Sequence, residues 1–425
     1  MATPNDLDRR REPRPRALAP AVPELVARFT ALWNEAGDGR PDLGPSFTRR
    51  DRRPREAALA RFVDAIRGEA ERPPLSPEDR DACRKRIFGD FERFARAGLG
   101  WQDRHIETLL GGGFEQGAAD FVRMAGEHDP ALASADVFQA CRNVWVANGV
   151  QRLLGLPVRL TPSVFAYSLL YPYTDNYLDD PAANEETKRA FNERLRSRLE
   201  GKDAMPANPR EKAIFDLVAM IEGEHDRTLF PQVFDSLVAI HEAQVKSLRL
   251  IAAGGPPAES DIIGIILEKG GTSVLADGCL VAGTLSPDQV EFLFGFGAFL
   301  QVMDDLEDVI EDRRAGLWTA FSRQAALGPL DDVTDRALRF GGGVLSGLDR
   351  FSAPGSEPLR ELIRSSLPGG LISTAGRFGK LYRRSYLKDL ERHSPFRFSF
   401  YNRQRRRLER RRAAFARLFE SLAKG

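Results

Sequence analysis

The 425-residue chain reads as all-α. Three observations predict this class. Apolar residues recur at helical spacing in segment after segment from residue 55 onward. Strand signals are sparse, with few alternating runs and few clusters of Val, Ile and Thr. Several periodic segments open on a helix-start pair: Ser76-Pro77, Thr161-Pro162 and Ser286-Pro287. Ser286 and Gln289 add the S-x-x-Q pattern of a capping box.

Taken in order, residues 1–55 are rich in Pro, Arg and Asp, with helical periodicity around 23–36. They read as a mobile arm carrying one short helix. Helices are predicted over 55–70, 77–97, 102–127, 135–154, 162–179, 184–199, 209–224, 231–253, 259–283, 287–314, 334–348, 358–366 and 369–391. A basic helix over 400–423 follows. The organisation expected is an arm over 1–55, a helical body over 56–395 and a basic C-terminal segment over 396–425. Pro172 predicts a kink in its helix, and Gly270, Gly271 and Gly278 predict a weakened or bent helix over 259–283.

Charge excludes one broad class. Lys and Arg number 62 against 61 acidic residues, a net charge of +1 that argues against a nucleic-acid binder. Of the 62 basic residues 9 are Lys, so 53 are Arg, whose planar fork suits carboxylates and phosphates. Residues 383–425 hold 14 basic and 4 acidic residues. That excess reads as a solvated helix face, with a subunit contact, an acidic membrane surface or an anionic substrate as functional alternatives. Cys83, Cys141 and Cys279 are few, odd in number and far apart, which argues against a disulfide framework or a zinc site. No apolar run reaches the ~18 residues of a membrane span. The opening residues lack the apolar segment of a secretory signal. A cytoplasmic location is expected.

Two carboxylate clusters carry the chemistry. The first is YPYTDNYLDD, Tyr171 to Asp180, at the end of a predicted helix. Asp175 and Asp179 are i and i+4 and share a face, with Asp180 beside them and with Tyr167 and Tyr171 continuing the row. The second is LQVMDDLEDVIED, Leu300 to Asp312, which continues a segment apolar on nearly every side. At about 100° per residue, Asp304, Asp308 and Asp312 fall within an arc of about 80°, with Gln301 and Asp305 close to it. Packed together, such faces repel unless cations bridge them, and oxygen-only clusters select hard divalent ions. No His, Cys or Ser joins either motif, which argues against zinc or covalent catalysis.

The pair of motifs resembles the two Asp-rich motifs of class I isoprenoid synthases: terpene synthases, squalene and phytoene synthases, and polyprenyl diphosphate synthases. The resemblance spans roughly residues 77–390. It implies a helical bundle around a central apolar cavity, with facing motifs that hold several Mg²⁺ ions, or Mn²⁺ in their place, on a prenyl diphosphate. Asp175, Asp179, Asp180, Asp304, Asp305, Asp308 and Asp312 are the metal ligands it implies. Gln301, Asp304, Asp305 and Asp308 look like the Q-x-x-D-D-x-x-D of chain-elongating enzymes. Asp308 to Gly316 is similar to the D-V-G-E-D-x-R-R-G of phytoene synthases, and the spacing from Asp304 to Asp312 also fits a cyclase metal motif. Asp175-x-x-x-Asp179 looks more like squalene, phytoene or cyclase motifs than the tandem D-D-x-x-D of elongators, and the elongators' R-R-G has no counterpart.

Diphosphate also calls for cations around it. Lys269 stands in an otherwise apolar helix, while Arg313 and Arg314 follow the second motif. Arg383, Arg384 and Tyr386 resemble the late Arg-Tyr pair of terpene cyclases. Tyr171 and Phe299 are candidates to line the cavity and to stabilise a cation through their ring faces. The expected function is a terpene synthase acting on one prenyl diphosphate. Head-to-head condensation of the squalene or phytoene type, a polyprenyl synthase, and a non-catalytic isoprenoid binder are the alternatives. A homodimer and a peripheral membrane contact through the basic C-terminus are further partner expectations.

Overall fold

The computed structural model describes residues 18, 21–37, 39, 41–178, 184–251 and 257–423, with the backbone alone at Asp175 and Ala423. The chain is all-α: α1 (Ala21–Glu35), α2 (Arg49–Glu71), α3 (Pro77–Phe94), α4 (Asp103–Ile106), α5 (Phe114–His128), α6 (Ser134–Leu153), α7 (Pro162–Leu178), α8 (Glu185–Leu199), α9 (Pro209–Glu224) and α10 (Pro231–Ser247). There follow α11 (Glu259–Ala282), α12 (Pro287–Glu307), α13 (Val309–Ala315), α14 (Ala320–Leu327), α15 (Asp331–Leu345), α16 (Glu357–Arg377), α17 (Arg384–Arg392), α18 (Phe398–Glu409) and α19 (Arg412–Ala423). Among the described residues the β structure is one isolated antiparallel bridge, Ile251 to Leu317. No described helix is long and apolar enough to cross a membrane.

The centre of the bundle is the antiparallel pair α11 and α12. Both are buried over most of their surface, as their near-continuous apolar sequence requires. The glycines expected to bend α11 do not: it runs unbroken from Glu259 to Ala282. They serve close approach instead. A Cβ on Gly270 would collide with Gln301 and the Gly297 backbone, and one on Gly278 would collide with Leu293. This contact holds the Gln301 face of α12 against the middle of α11, beside Lys269. Around the pair stand α1, α6, α7, α10, α14 and α15. Helix α7 also runs through Pro172 and is anchored by its tyrosines: Tyr167 donates to the Ser273 carbonyl, Tyr173 to Asp129 and Tyr177 to Glu211.

Several boundaries differ from expectation. The predicted helix over 287–314 divides at Asp308, where φ −98° and ψ 7° leave the helical region. The i→i−4 bonds from Asp308 to Asp304 and from Asp312 to Asp308 persist across it, so the sequence pattern reads straight through. Helix α16 continues through Pro368, and α14 was not anticipated at all. The N-terminal stretch is no arm from Ala21 onward. Val22, Leu25, Phe29 and Trp33 of α1 are buried; Phe29 stacks on Phe294 at 5.7 Å and Trp33 meets Phe340 edge-on. Helix α2 begins at Arg49, capped by Thr48 with Asp51, rather than at 55.

The basic C-terminal segment forms two helices, and both lie on the body. Arg397 pairs with Glu56 at 2.6 Å, Arg407 with Asp64 at 2.6 Å and Arg411 with Glu71 at 3.0 Å, all three acids on α2. Burial pushes the Glu56 carboxyl up, but its bonds from Arg397 outweigh that and hold it below its ordinary value. Helix α19 also touches α6, where Ser134 donates to Glu420 and Phe419 meets Phe138 edge-on.

Candidate functional site

A cavity of about 300 Å³ opens between α6, α7, α10, α11 and α12. Apolar side chains such as Val146, Leu170, Leu237, Ile240, Val274 and Leu300 supply much of its wall. Arg142, Lys269, Gln301 and Asp304 also line it.

Of the second motif, Asp304 reaches the cavity and Asp305 lies buried behind it. Asp305 accepts a hydrogen bond from Gln301 at 2.8 Å, but its Oδ2 is buried without a partner. Burial pushes its carboxyl up to about 8, reinforced by Asp312 and Asp304; Lys269 opposes the shift. Asp312 is raised to about 7, first by burial and then by Asp308 and Asp304. Asp308 is raised to about 6 by burial and then by Asp304, Glu311 and Glu307, while Arg142 opposes it. Burial is the first cause at all three carboxyls and repulsion along the row adds to it; a bound cation would oppose both. Glu307 leaves the row to pair with Arg377 at 3.5 Å.

Asp304, Asp305, Asp308 and Asp312 are the second-motif aspartates that the structure describes. An all-carboxylate set with an orphaned buried oxygen fits Mg²⁺. Among the described residues no three His, Cys, Asp or Glu side chains are grouped as a ready cage. Mg²⁺ does not require one, since it completes its shell with water and substrate phosphates. Of the first motif, Asp179 and Asp180 lie outside the described residues, as does the Asp175 side chain. The backbone places Asp175 one residue beyond Thr174, which lines the cavity with Tyr171. Asn176 donates to Asp136 on α6 at 3.2 Å.

The remaining candidates divide. Lys269, Tyr171 and Arg142 line the cavity. Phe299 does not: it is fully buried against Gly341 and meets Phe340 edge-on. Arg313 and Arg314 are exposed on α13. Arg383 is engaged by Asp331, and Tyr386 donates to Asp335 at 2.6 Å and stacks on Tyr382. Arg384 is exposed at the start of α17. None of these last five residues is in the cavity wall.

Sequence reasoning missed a polar group within the cavity. Asp277 on α11 is 1 % exposed, and burial holds its carboxyl far above the ordinary range. Asn143 donates to its Oδ1 at 3.0 Å and to Ser168 at 3.1 Å. His241 lines the wall as well, and burial lowers its pKa. The available signal was spacing: Lys269, Ser273 and Asp277 are i, i+4 and i+8, one polar stripe on an apolar helix.

A scan against protein-family models finds no match for this chain, and a search of curated proteins finds none.

Proposed function

We propose that the protein is a Mg²⁺-dependent class I terpene synthase: it ionises an allylic prenyl diphosphate and steers the carbocation to a terpene product. The observation that carries this reading is the cavity itself, with largely apolar walls and with Asp304, Lys269 and Arg142 gathered on its lining. Bound Mg²⁺ would supply charge to the departing diphosphate, held by Asp304, Asp305, Asp308 and Asp312, with Asp175 and Asp179 of the first motif as further ligands. Lys269 and Arg142 bind the diphosphate oxygens and orient the C–O bond over the cavity. Val146, Leu170, Leu237 and Ile240 exclude water from the prenyl chain, and the Tyr171 and Tyr167 rings face developing positive charge. At about 300 Å³ the cavity is at the small end of ligand pockets, which favours one prenyl chain over the two that head-to-head condensation needs.

Incubation with geranyl, farnesyl and geranylgeranyl diphosphates and Mg²⁺, followed by assay of diphosphate and extraction of products, tests the reading. Metal-dependent diphosphate release with a terpene product supports it. A product of doubled chain length supports the squalene or phytoene alternative. Tight binding with no release from any chain length supports a non-catalytic isoprenoid binder.

A further inference from the structure

The Asp277 group stands at a telling distance from the charged residues. Lys269 and Asp277 are two helical turns apart on α11, about 12 Å along the axis. On α7, Asp175 lies seven residues beyond Ser168, about 10 Å. Asp277 and Ser168 are therefore set back from Lys269 and Asp175 along their two helices, while Asn143 adjoins Arg142 on α6.

Its hydrogen bonding is unfinished. Asn143 satisfies Asp277 Oδ1, but Asp277 Oδ2 is buried without a partner. Ser168 accepts from Asn143 and keeps its own hydroxyl proton to give. Pro172 has no N–H, so the helical bond that would end on the Ser168 carbonyl cannot form, which leaves one more acceptor on this turn of α7. A buried polar atom without a partner is costly, and a water held by two to four polar groups is the usual remedy.

We propose that Asp277, Asn143 and Ser168 hold a water molecule that adds to the carbocation, so that the product is a terpene alcohol; this rests on the class I reading above. The step balances within the cavity. The substrate C–O bond breaks, and its electron pair leaves on the diphosphate. A lone pair of the water forms the new C–O bond, and the surplus O–H proton passes to His241 Nδ1. His241 is suited to receive it. Its Nε2 lies 3.1 Å from the Asn192 carbonyl, which can only accept, so Nε2 carries the hydrogen and Nδ1 the lone pair. Lys246 pairs with Glu268 at one end of the α10–α11 contact, and Ser236 bonds Cys279 at the other. His241 lies between Ser236 and Lys246 on α10 and lines the same cavity as Ser273 and Asp277.

The test runs the full chain with Mg²⁺ and geranyl, farnesyl or geranylgeranyl diphosphate in ¹⁸O-water, with chiral gas chromatography and mass spectrometry of the products. The expected result is one alcohol, of a single enantiomer, carrying ¹⁸O. Asp277→Leu is expected to lower alcohol formed per diphosphate released by about tenfold or more, with hydrocarbon in its place. Ser168→Ala, a smaller change to the core, moves the same ratio in the same direction. Hydrocarbon alone from the unaltered protein, or racemic alcohol whose ratio neither variant moves, overturns the water site and leaves the class I reading standing. Absence of diphosphate release with every substrate overturns that reading and the water site with it.

Discussion

Arg142 on α6 stands 3.4 Å from Asp304 on α12, a guanidinium nitrogen against a carboxylate oxygen at the cavity lining. The two side chains are 66 % and 43 % exposed, and exposed pairs stabilise by about 0–1 kcal/mol, so the pair contributes little to folding. Arg142→Ala should shift the melting temperature by less than about 2 °C. It should lower kcat/KM for diphosphate release about tenfold or more. Thermal unfolding beside kinetics separates the two; a large melting loss with unchanged kinetics would reverse the assignment.

Asp305 and Asp308 are the sharpest test of the carboxylate row. Asp305→Asn and Asp308→Asn keep shape and remove charge, and each should cut Mg²⁺-dependent diphosphate release by about 100-fold or more. Calorimetric titration should show weakened Mg²⁺ uptake in both. Full turnover in either variant sinks the mechanism.

The raised carboxyls also set a pH dependence. Asp308, Asp312 and Asp305 titrate at about 6, 7 and 8 in the folded chain, against an ordinary Asp near 3.8. Between those values the folded state binds more protons than the unfolded one, so stability falls as pH rises. The fall starts above about pH 4 and is complete above about pH 8. In chelator, the melting temperature should drop across this window, and Asp305→Asn should shrink the drop by about 2 °C or more. Mg²⁺ requires ionised ligands, so its stabilisation should be larger at pH 8 than at pH 6. Equal Mg²⁺ shifts at the two pH values count against a metal on this row.

Gly297→Ala probes the helix contact that sets up the site. A Cβ there would strike the Gly270 carbonyl, backbone against backbone, with no flexible atom to yield. Overpacking of this kind costs about 1–3 kcal/mol, readable in denaturant unfolding. A neutral result would mean that α11 and α12 can separate without loss.

Glu56→Ala should release the C-terminal helices. Glu56 is 7 % exposed at its side chain and binds both the Arg397 backbone N–H and its guanidinium. Removal leaves Arg397, itself 52 % exposed, without its carboxylate, a loss of about 1 kcal/mol. Limited proteolysis should then cut near residue 397 at least several times faster. An unchanged digestion pattern would show that apolar packing alone holds these helices.

Much of the helical class was legible because capping and periodicity are local. Ser76 and Ser286 cap their helices as their sequence motifs require, and Thr161 accepts from Val164 N–H. What failed was tertiary. The bend at Asp308 keeps its backbone bonds, so nothing in the pattern marks it. Gly270 and Gly278 read as weak points, whereas α11 uses them to touch α12. Arg407 read as part of a solvated face because its partner, Asp64, lies 343 positions away. Asp277 obeys the same logic that singled out Lys269, an ionisable group in a mostly apolar helix.

The brace of α19 on α6 has a consequence in time. Ser134 is joined to Glu420, 286 positions later, and Phe138 to Phe419. Helix α6 also carries Arg142 and Asn143, the cavity's polar wall. During synthesis, that wall is made early and waits for its outer support while the intervening chain emerges. Every residue of the lining, from Gln139 to Asp304, is thus made before the helix that braces α6 from outside.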